Sequence, residues 1–192
     1  MVMDYSITVM EKPEWVSWDS IHDVLWAAHQ QNIRKGMTMR NPYLTGEELK
    51  KLMGDSGHCF VAMEEDKVIG SAAFVIQRYN KWYTKGKKTA YLFLGAIRPE
   101  DQVKGVYSRL KEIRQQFIDK LHVDVIEMET AEQNHHIQDI MLKDGFKYIS
   151  FRKAKKSDFN YVVLVKWPDK CPYPDWYIKL RFLYSKIKTK LR

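Results

Sequence analysis

The feature that most constrains this chain is a strand that stops, turns and hands over to a helix at a glycine. Residues 90–97 form an apolar, strand-like run that ends at Pro99, passes through a short polar turn and opens a helix at Gly105. A glycine at that junction lets the backbone approach a ligand closely. The first N–H groups of a helix have no partner within it, and the macrodipole favours an anion beside them. Downstream, residues 123–130 read as a second strand, followed by a polar helix that begins at Asn134 and is closed by Gly145-Phe146.

Two pieces of this passage carry a resemblance. Gln102-x-x-Gly105-x-Tyr107 resembles the Gln/Arg-x-x-Gly-x-Gly/Ala pyrophosphate loop of the GNAT superfamily of N-acetyltransferases, and Ile97-Arg98-Pro99 is similar to its Val-x-Pro lead-in. Glu132-Gln133-Asn134 through Lys143-Asp144-Gly145-Phe146 looks like its second signature, an Asn helix ending in Gly-Phe. Either piece alone is weak, because glycine loops after strands are common. Together, in order and one helix and one strand apart, they are fairly specific. The resemblance covers residues 88–152 well and the order of elements over 4–167 loosely. It implies an α+β fold with a mixed, mostly antiparallel twisted sheet flanked by helices, and acetyl-CoA as co-substrate. It also implies that the backbone of Gln102, Val103, Lys104, Gly105, Val106 and Tyr107 holds the pyrophosphate. The backbone of Gly95, Ala96 and Ile97, at a bulge, would pair with pantetheine, and Asn134 would touch the cofactor arm unless it is only a helix N-cap.

The chain departs from the family at three places. Tyr107 stands where Gly or Ala is usual, so its phenol must point away from the phosphates or stack beside them. Many relatives carry a proton-donating Tyr seven residues after the Asn; here that position is Met141, which cannot donate. His135, His136 and Tyr107 are the nearby candidates for the acid, with water as the other. The strand 90–97, where relatives often carry a Glu, has no acidic residue. Glu127 and Glu129 share one face of the next strand by period-two spacing, which suits solvated ion pairing better than catalysis.

Composition sets the outer limits. The chain has 192 residues, 45% hydrophobic, with six Trp, eleven Tyr and eight Phe, which is ample for one core and excludes disorder. Two cysteines, Cys59 and Cys171, make no disulfide framework, and adjacent His135-His136 have no zinc spacing, so no metal is expected. No apolar run nears the ~20 residues needed to span a bilayer. Residues 1–10 carry Asp4 and lack a secretory signal's basic start and apolar core, so a cytoplasmic enzyme is expected. The net charge of +8 is uneven: residues 168–192 hold seven basic residues against Asp169 and Asp175, a surplus of +5 that leaves +3 for residues 1–167. With no nucleic-acid motif, charge in a tail gives little support for nucleic-acid binding.

With that resemblance, the remaining pattern divides the chain into an acetyltransferase domain over 1–167 and a basic extension over 168–192. Residues 4–10 alternate as an edge strand. Asp19 or Ser20 caps a helix to about residue 35 with Ile21, Val24, Leu25 and Ala28 inward, and Thr45-x-x-Glu48 is a capping box for a shorter one. The connection 34–44 is rich in Met, Asn, Gly and Pro, and in the resembled family it borders the acceptor site. Residues 58–63 and 68–77 form a hairpin about Glu65-Asp66-Lys67. Loop 78–88 mixes aromatics and lysines; it reads as a solvated hairpin tip, with an acceptor-site rim or polyanion contact as the alternative. The helix after Gly105 has Val106, Leu110, Ile113, Phe117 and Leu121 on one stripe and Lys104, Arg109, Lys111 and Arg114 opposite. Strands at 147–152 and 160–167 follow.

In the extension, Pro172 and Pro174 precede a helix capped by Asp175 and starting at Trp176. Trp176, Leu180, Leu183, Ile187 and Leu191 recur at spacings of 4, 3, 4 and 4. Such a stripe covers the enzyme's own sheet or a second subunit, as in a homodimer, or docks on anionic lipid at the inner membrane surface. The resemblance therefore implies an N-acetyltransferase acting on a primary amine of a small molecule, amino sugars among them. The alternative is a non-catalytic acyl-CoA-binding or partner-binding module with the same fold.

Overall fold

The computed structural model describes residues 7–34, 41–102, 104–153 and 159–191. Its elements are β1 (Ile7–Glu11), α1 (Trp18–Arg34), α2 (Gly46–Met53), β2 (Gly57–Glu64), β3 (Lys67–Arg78), β4 (Lys88–Ile97), α3 (Val106–Lys120), β5 (Val125–Ala131), α4 (His135–Lys143), β6 (Lys147–Lys153), β7 (Asn160–Lys166) and α5 (Asp175–Lys190). Short 3₁₀ turns at Asn41–Tyr43, Gly54–Ser56 and Pro99–Asp101 join them. The strands are ordered β1-β2-β3-β4-β5-β7-β6 in one seven-stranded sheet. The pairs β1–β2, β2–β3, β5–β7 and β7–β6 are antiparallel, which gives the α+β architecture the sequence predicts. The chain divides into two compact units, Met1–Ile76 with Leu92–His122 and Gln77–Tyr91 with Val123–Arg192. Residues 4–6 of the expected first strand and 35–40 of the expected acceptor-side connection lie outside the described residues.

In the first unit, Ile21, Val24 and Leu25 of α1 and Leu49 and Met53 of α2 share one apolar cluster with Val61, Met63, Leu94 and Ala96 of the strands. The capping box closes as expected: Glu48 N–H donates to Thr45 Oγ1 at 3.2 Å and Thr45 N–H to Glu48 Oε2 at 2.8 Å. The cap of α1 is instead Ser17, whose Oγ accepts Ser20 N–H at 3.0 Å. A hydroxyl three residues before a free N–H outcompetes Asp19 and Ser20, which fall inside the first turn. Along α3 the buried residues are Val106, Leu110, Arg114 and Ile118. Arg114 thus lies on the packed side, not the charged one; its long aliphatic stem can cover apolar surface. Phe117 meets Phe60 edge-on at 5.0 Å.

In the second unit, β7 inserts between β5 and β6, and a register shift between Tyr148 and Ser150 leaves Ile149 as an extra residue. Ile149 is fully buried with Tyr83, Val125, Val163, Val165, Trp167 and Ile178. The centre of loop 78–88 is therefore packed, with Tyr83 and Thr84 buried, while residues 78–80 and 85–87 are exposed as a solvated tip would be. Thr84 is fully buried, with its hydroxyl donating to the Tyr79 carbonyl and accepting Lys81 N–H at 3.1 Å. Trp82 meets Tyr173 and Tyr177 edge-on at 5.3 and 5.6 Å, and Tyr173 Oη donates to the Trp82 carbonyl at 2.8 Å. An aromatic-rich loop reads as an exposed rim until a later segment supplies its partners, here 173–181.

The extension forms α5, but it docks on its other side. Ile178 is buried, Phe182 stacks on Tyr148 at 5.3 Å, and the Ser185 and Thr189 hydroxyls bond the main chain of Phe151 in β6 at 2.9 and 3.1 Å. Those hydroxyls satisfy backbone groups of β6, the last strand of the sheet. Asp175 makes no cap bond; Pro174 is the N-cap and Asp175 pairs with Lys147 at 2.5 Å.

Candidate functional site

In the first unit the site is built from the end of β4 and the start of α3. Leu94 takes a positive φ of 52° within β4, and Ser71 Oγ holds it by donating to the Leu94 carbonyl at 2.8 Å. A non-glycine residue in the left-handed region costs about 1–2 kcal/mol and persists where the surroundings fix it. The next residue, Gly95, is exposed, so the interrupted pleat presents backbone to solvent. Arg98 then anchors the turn on β3: its N–H donates to the Ile69 carbonyl at 2.9 Å and its Nε to the Val68 carbonyl at 3.0 Å.

Gly105 is the N-cap of α3 with φ +70°, and a Cβ built on it would meet nothing within 4 Å. Glycine is required by the backbone angle, and the space beside it is open. Gln102, Lys104 and Gly105 are exposed, Val106 is buried and Tyr107 is half-buried. Val103 lies outside the described residues. Beneath the helix start, a Cβ on Gly70 would meet Val106 Cγ1 at 3.0 Å and Leu110 Cδ1 at 3.1 Å. Gly70 is thus what lets α3 sit close on β3, a contact the sequence reading did not single out. Exposed residues on the turn, a left-handed glycine and open space beside it at a helix start together suit a diphosphate.

The Lys104 side chain is committed elsewhere. Its Nζ lies 2.8 Å from Glu64 Oε1 and 2.9 Å from Asp101 Oδ1, and the bonds to Asp101 and Glu64 raise its pKa. The side chain offsets two carboxylates beside the loop, and the Lys104 N–H donates to the Asp101 carbonyl at 3.3 Å, closing the turn that precedes Gly105. A cavity of about 430 Å³ lies near, lined by Asp23, Glu64, Glu65 and Asp66 with Lys67 and Arg98. Four carboxylates make it a poor seat for a polyanion.

In the second unit, Asn134 is the N-cap of α4 but its side chain caps no helix N–H; its Nδ2 donates to Thr130 Oγ1 at 3.1 Å. That leaves the amide oxygen for a ligand. His135 and His136 fill the first turn and are exposed, and Met141 is buried. Gln138, which the sequence reading passed over, fixes the turn: its Nε2 donates to the Ala131 and Glu132 carbonyls at 3.0 and 2.8 Å and its Oε1 accepts Tyr148 Oη at 3.0 Å. Gly145, at φ +88°, ends α4 in a Schellman motif, Phe146 N–H to Met141 O at 3.0 Å and Gly145 N–H to Leu142 O at 3.0 Å.

Glu127 is fully buried rather than solvated, with Oε1 2.6 Å from Lys81 Nζ. Burial pushes its pKa up while Lys81 draws it down. Tyr83 and Tyr91 are raised by burial and then by the neighbouring Glu127 and Glu129 carboxylates. Glu129 pairs with Arg152. The pair Lys81–Glu127 ties loop 78–88 to β5, a structural task. Cys59 is buried, and burial pushes its thiol up to about 12, so it offers no thiolate nucleophile at neutral pH. Among the described residues, no group of three or more His, Cys, Asp and Glu is placed to hold a metal ion.

Residues 18–146 match the sequence model of the acetyltransferase (GNAT) family. No curated protein matches the chain. Similar solved structures include the ribosomal-protein-S18-alanine N-acetyltransferase of Escherichia coli, at 15% identity and TM-score 0.62, covering 83% of this chain and 92% of that one. An acetyltransferase from Streptococcus agalactiae is 19% identical with TM-score 0.61, covering 84% and 98%. An aminoglycoside 6′-N-acetyltransferase complexed with coenzyme A is 13% identical with TM-score 0.61, covering 88% and 99%. At these identities the likeness is one of fold.

Proposed function

Because this chain belongs to the acetyltransferase (GNAT) family, we propose that it is an N-acetyltransferase that binds acetyl-CoA and moves the acetyl group directly to a primary amine of a small molecule. Amino sugars are the first acceptor class to test. The observation that carries this reading is Gly105, left-handed at φ +70° with open space beside it at the start of α3. The backbone from Gln102 to Tyr107 would receive the diphosphate through N–H groups that the helix does not use. The exposed backbone at Gly95, with Ala96 and Ile97, would pair with the pantetheine arm, and the Asn134 amide oxygen would accept from its amide N–H.

When bound, acetyl-CoA supplies the activated acyl carbon. Transfer forms an N–C bond and breaks a C–S bond, so one proton leaves the amine and one reaches the departing sulfur. The chain's contribution is chiefly to hold and orient the two reactants, a large part of any such rate enhancement. His135 and His136, both exposed, and Tyr107, whose hydroxyl is buried, are the candidate groups for the protons, because Met141 carries none.

Met141 and a β4 strand without a carboxylate between Ala90 and Ile97 favour the second reading, an acyl-CoA-binding or partner-binding module without turnover. A panel of amines with acetyl-CoA, followed by thiol release, separates the two. Release with at least one amine is expected. Silence across amino sugars, polyamines, aminoglycosides and peptide amines, with acetyl-CoA still bound, supports the module instead.

A further inference from the structure

The apolar stripe predicted on α5 exists, and it faces solvent. Trp176, Leu180, Leu183, Tyr184, Ile187 and Leu191 are each at least 50% exposed. At 100° per residue these six lie within about one third of the helix circumference. The opposite side, Ile178, Phe182, Ser185 and Thr189, is the one held on β6. The helix is therefore amphipathic twice over: one face is used by the fold and the other has no cover among the described residues.

The margins of the stripe say what it is for. Lys179, Lys186 and Lys190 run along one edge and Arg181 and Lys188 along the other, while the helix's one acidic residue, Asp175, sits at its first position paired with Lys147. Arg181 stacks over Trp82 at 4.9 Å and Lys186 lies 3.9 Å from Glu132, which leaves Lys179, Lys188 and Lys190 flanking the apolar side chains. A second copy of this surface would bring basic margin against basic margin in any symmetric pairing, which like-charge repulsion opposes. An anionic bilayer satisfies both parts: apolar side chains enter the headgroup boundary, Trp176 and Tyr184 suit its depth, and cations on both sides meet lipid phosphates. No helix among the described residues is long and apolar enough to cross a membrane, so α5 lies on the surface rather than through it.

We propose that the outward face of α5 docks the protein on anionic lipid bilayers. The inference stands apart from the acetyltransferase reading and survives its failure. The test is flotation of the full chain with vesicles of phosphatidylcholine alone or doped with phosphatidylglycerol. Binding is expected to the doped vesicles only, and to weaken as salt rises. Leu183→Glu with Ile187→Glu should abolish it with little change in melting temperature, since both residues are half or more exposed. Neutralising Lys179, Lys188 and Lys190 to Gln together should lower partitioning by about a hundred-fold, roughly five-fold for each charge. Failure of the intact protein to bind doped vesicles would overturn the proposal, as would equal binding to neutral ones. Sedimentation of lipid-free protein adds a third check: a dimer that dissociates on Leu183→Glu assigns the stripe to a second copy and overturns it too.

Discussion

Gly105 and Glu127 carry most of what can be tested one residue at a time. Replacing Gly105 by Val forces a branched side chain into φ +70°, which should cost about 1–2 kcal/mol of stability and remove acetyl-CoA binding while the fold persists. Melting curves and a ligand titration on the same sample check both halves. Glu127 gives a pH signature. Its folded pKa is raised above the ordinary 4.5 by burial, so the folded state holds that proton more tightly than the unfolded chain. Stability from this group is therefore greatest at low pH and declines as pH rises from about 4.5 through the folded pKa. Glu127→Gln should flatten that decline, seen as a melting-temperature difference between variant and parent that grows over the same interval. Among the proton candidates, one of His135→Ala, His136→Ala or Tyr107→Phe should lower kcat by roughly 10²–10⁴ if a side chain is the acid. Three near-normal rates would assign the protons to water. At this scale the glycines at 105 and 145 were legible, because a left-handed turn demands that residue, whereas the Asn134 side chain turns to Thr130 instead of capping α4. Glu127 was not: period-two spacing shows which face a carboxylate shares with Glu129, but not that a lysine and three tyrosines from 79–91 close over it.

At the scale of elements, two contacts decide where helices sit. Gly70 sets the height of α3 over β3, so Gly70→Val should press on Val106 and Leu110, cost about 1–3 kcal/mol and weaken acetyl-CoA binding by shifting the helix start. A melting curve and a binding isotherm on the variant test this; full stability with normal binding would mean the helix start does not depend on that contact. Ser185 and Thr189 hold α5 to the Phe151 main chain, and Ser185→Ala with Thr189→Val should cost about 1 kcal/mol per bond, read in the chemical unfolding midpoint. Helix existence and order were readable from apolar periodicity for α1, α3 and α5, from a capping box for α2, and from the Asn and Gly-Phe boundaries for α4. Helix orientation was not. Periodicity marked the widest apolar stripe of α5, yet the face that docks on β6 carries Ile178, Phe182 and the two hydroxyls that bond the Phe151 main chain. Likewise the burial of Arg114 in α3 cannot be seen from a pattern that sorts charges outward. Loop 78–88 was misread for a related reason, since its partners Tyr173 and Tyr177 come about ninety residues later.

At the scale of the whole molecule, the seven-stranded mostly antiparallel sheet and the family signature over 18–146 converge on an acetyltransferase fold. A ligand that binds only the folded state stabilises by mass action, roughly 2.7 kcal/mol at a hundredfold excess over Kd, which is a melting shift of a few degrees for a chain of this size. The most direct test of the central claim is calorimetric titration of acetyl-CoA into the intact protein and into Gly105→Val. Saturable one-to-one binding by the parent and none by the variant, with both folded, is the predicted result. No heat and no melting shift with the parent at millimolar acetyl-CoA, or equal affinity in the two proteins, would contradict the assignment of the β4–α3 loop.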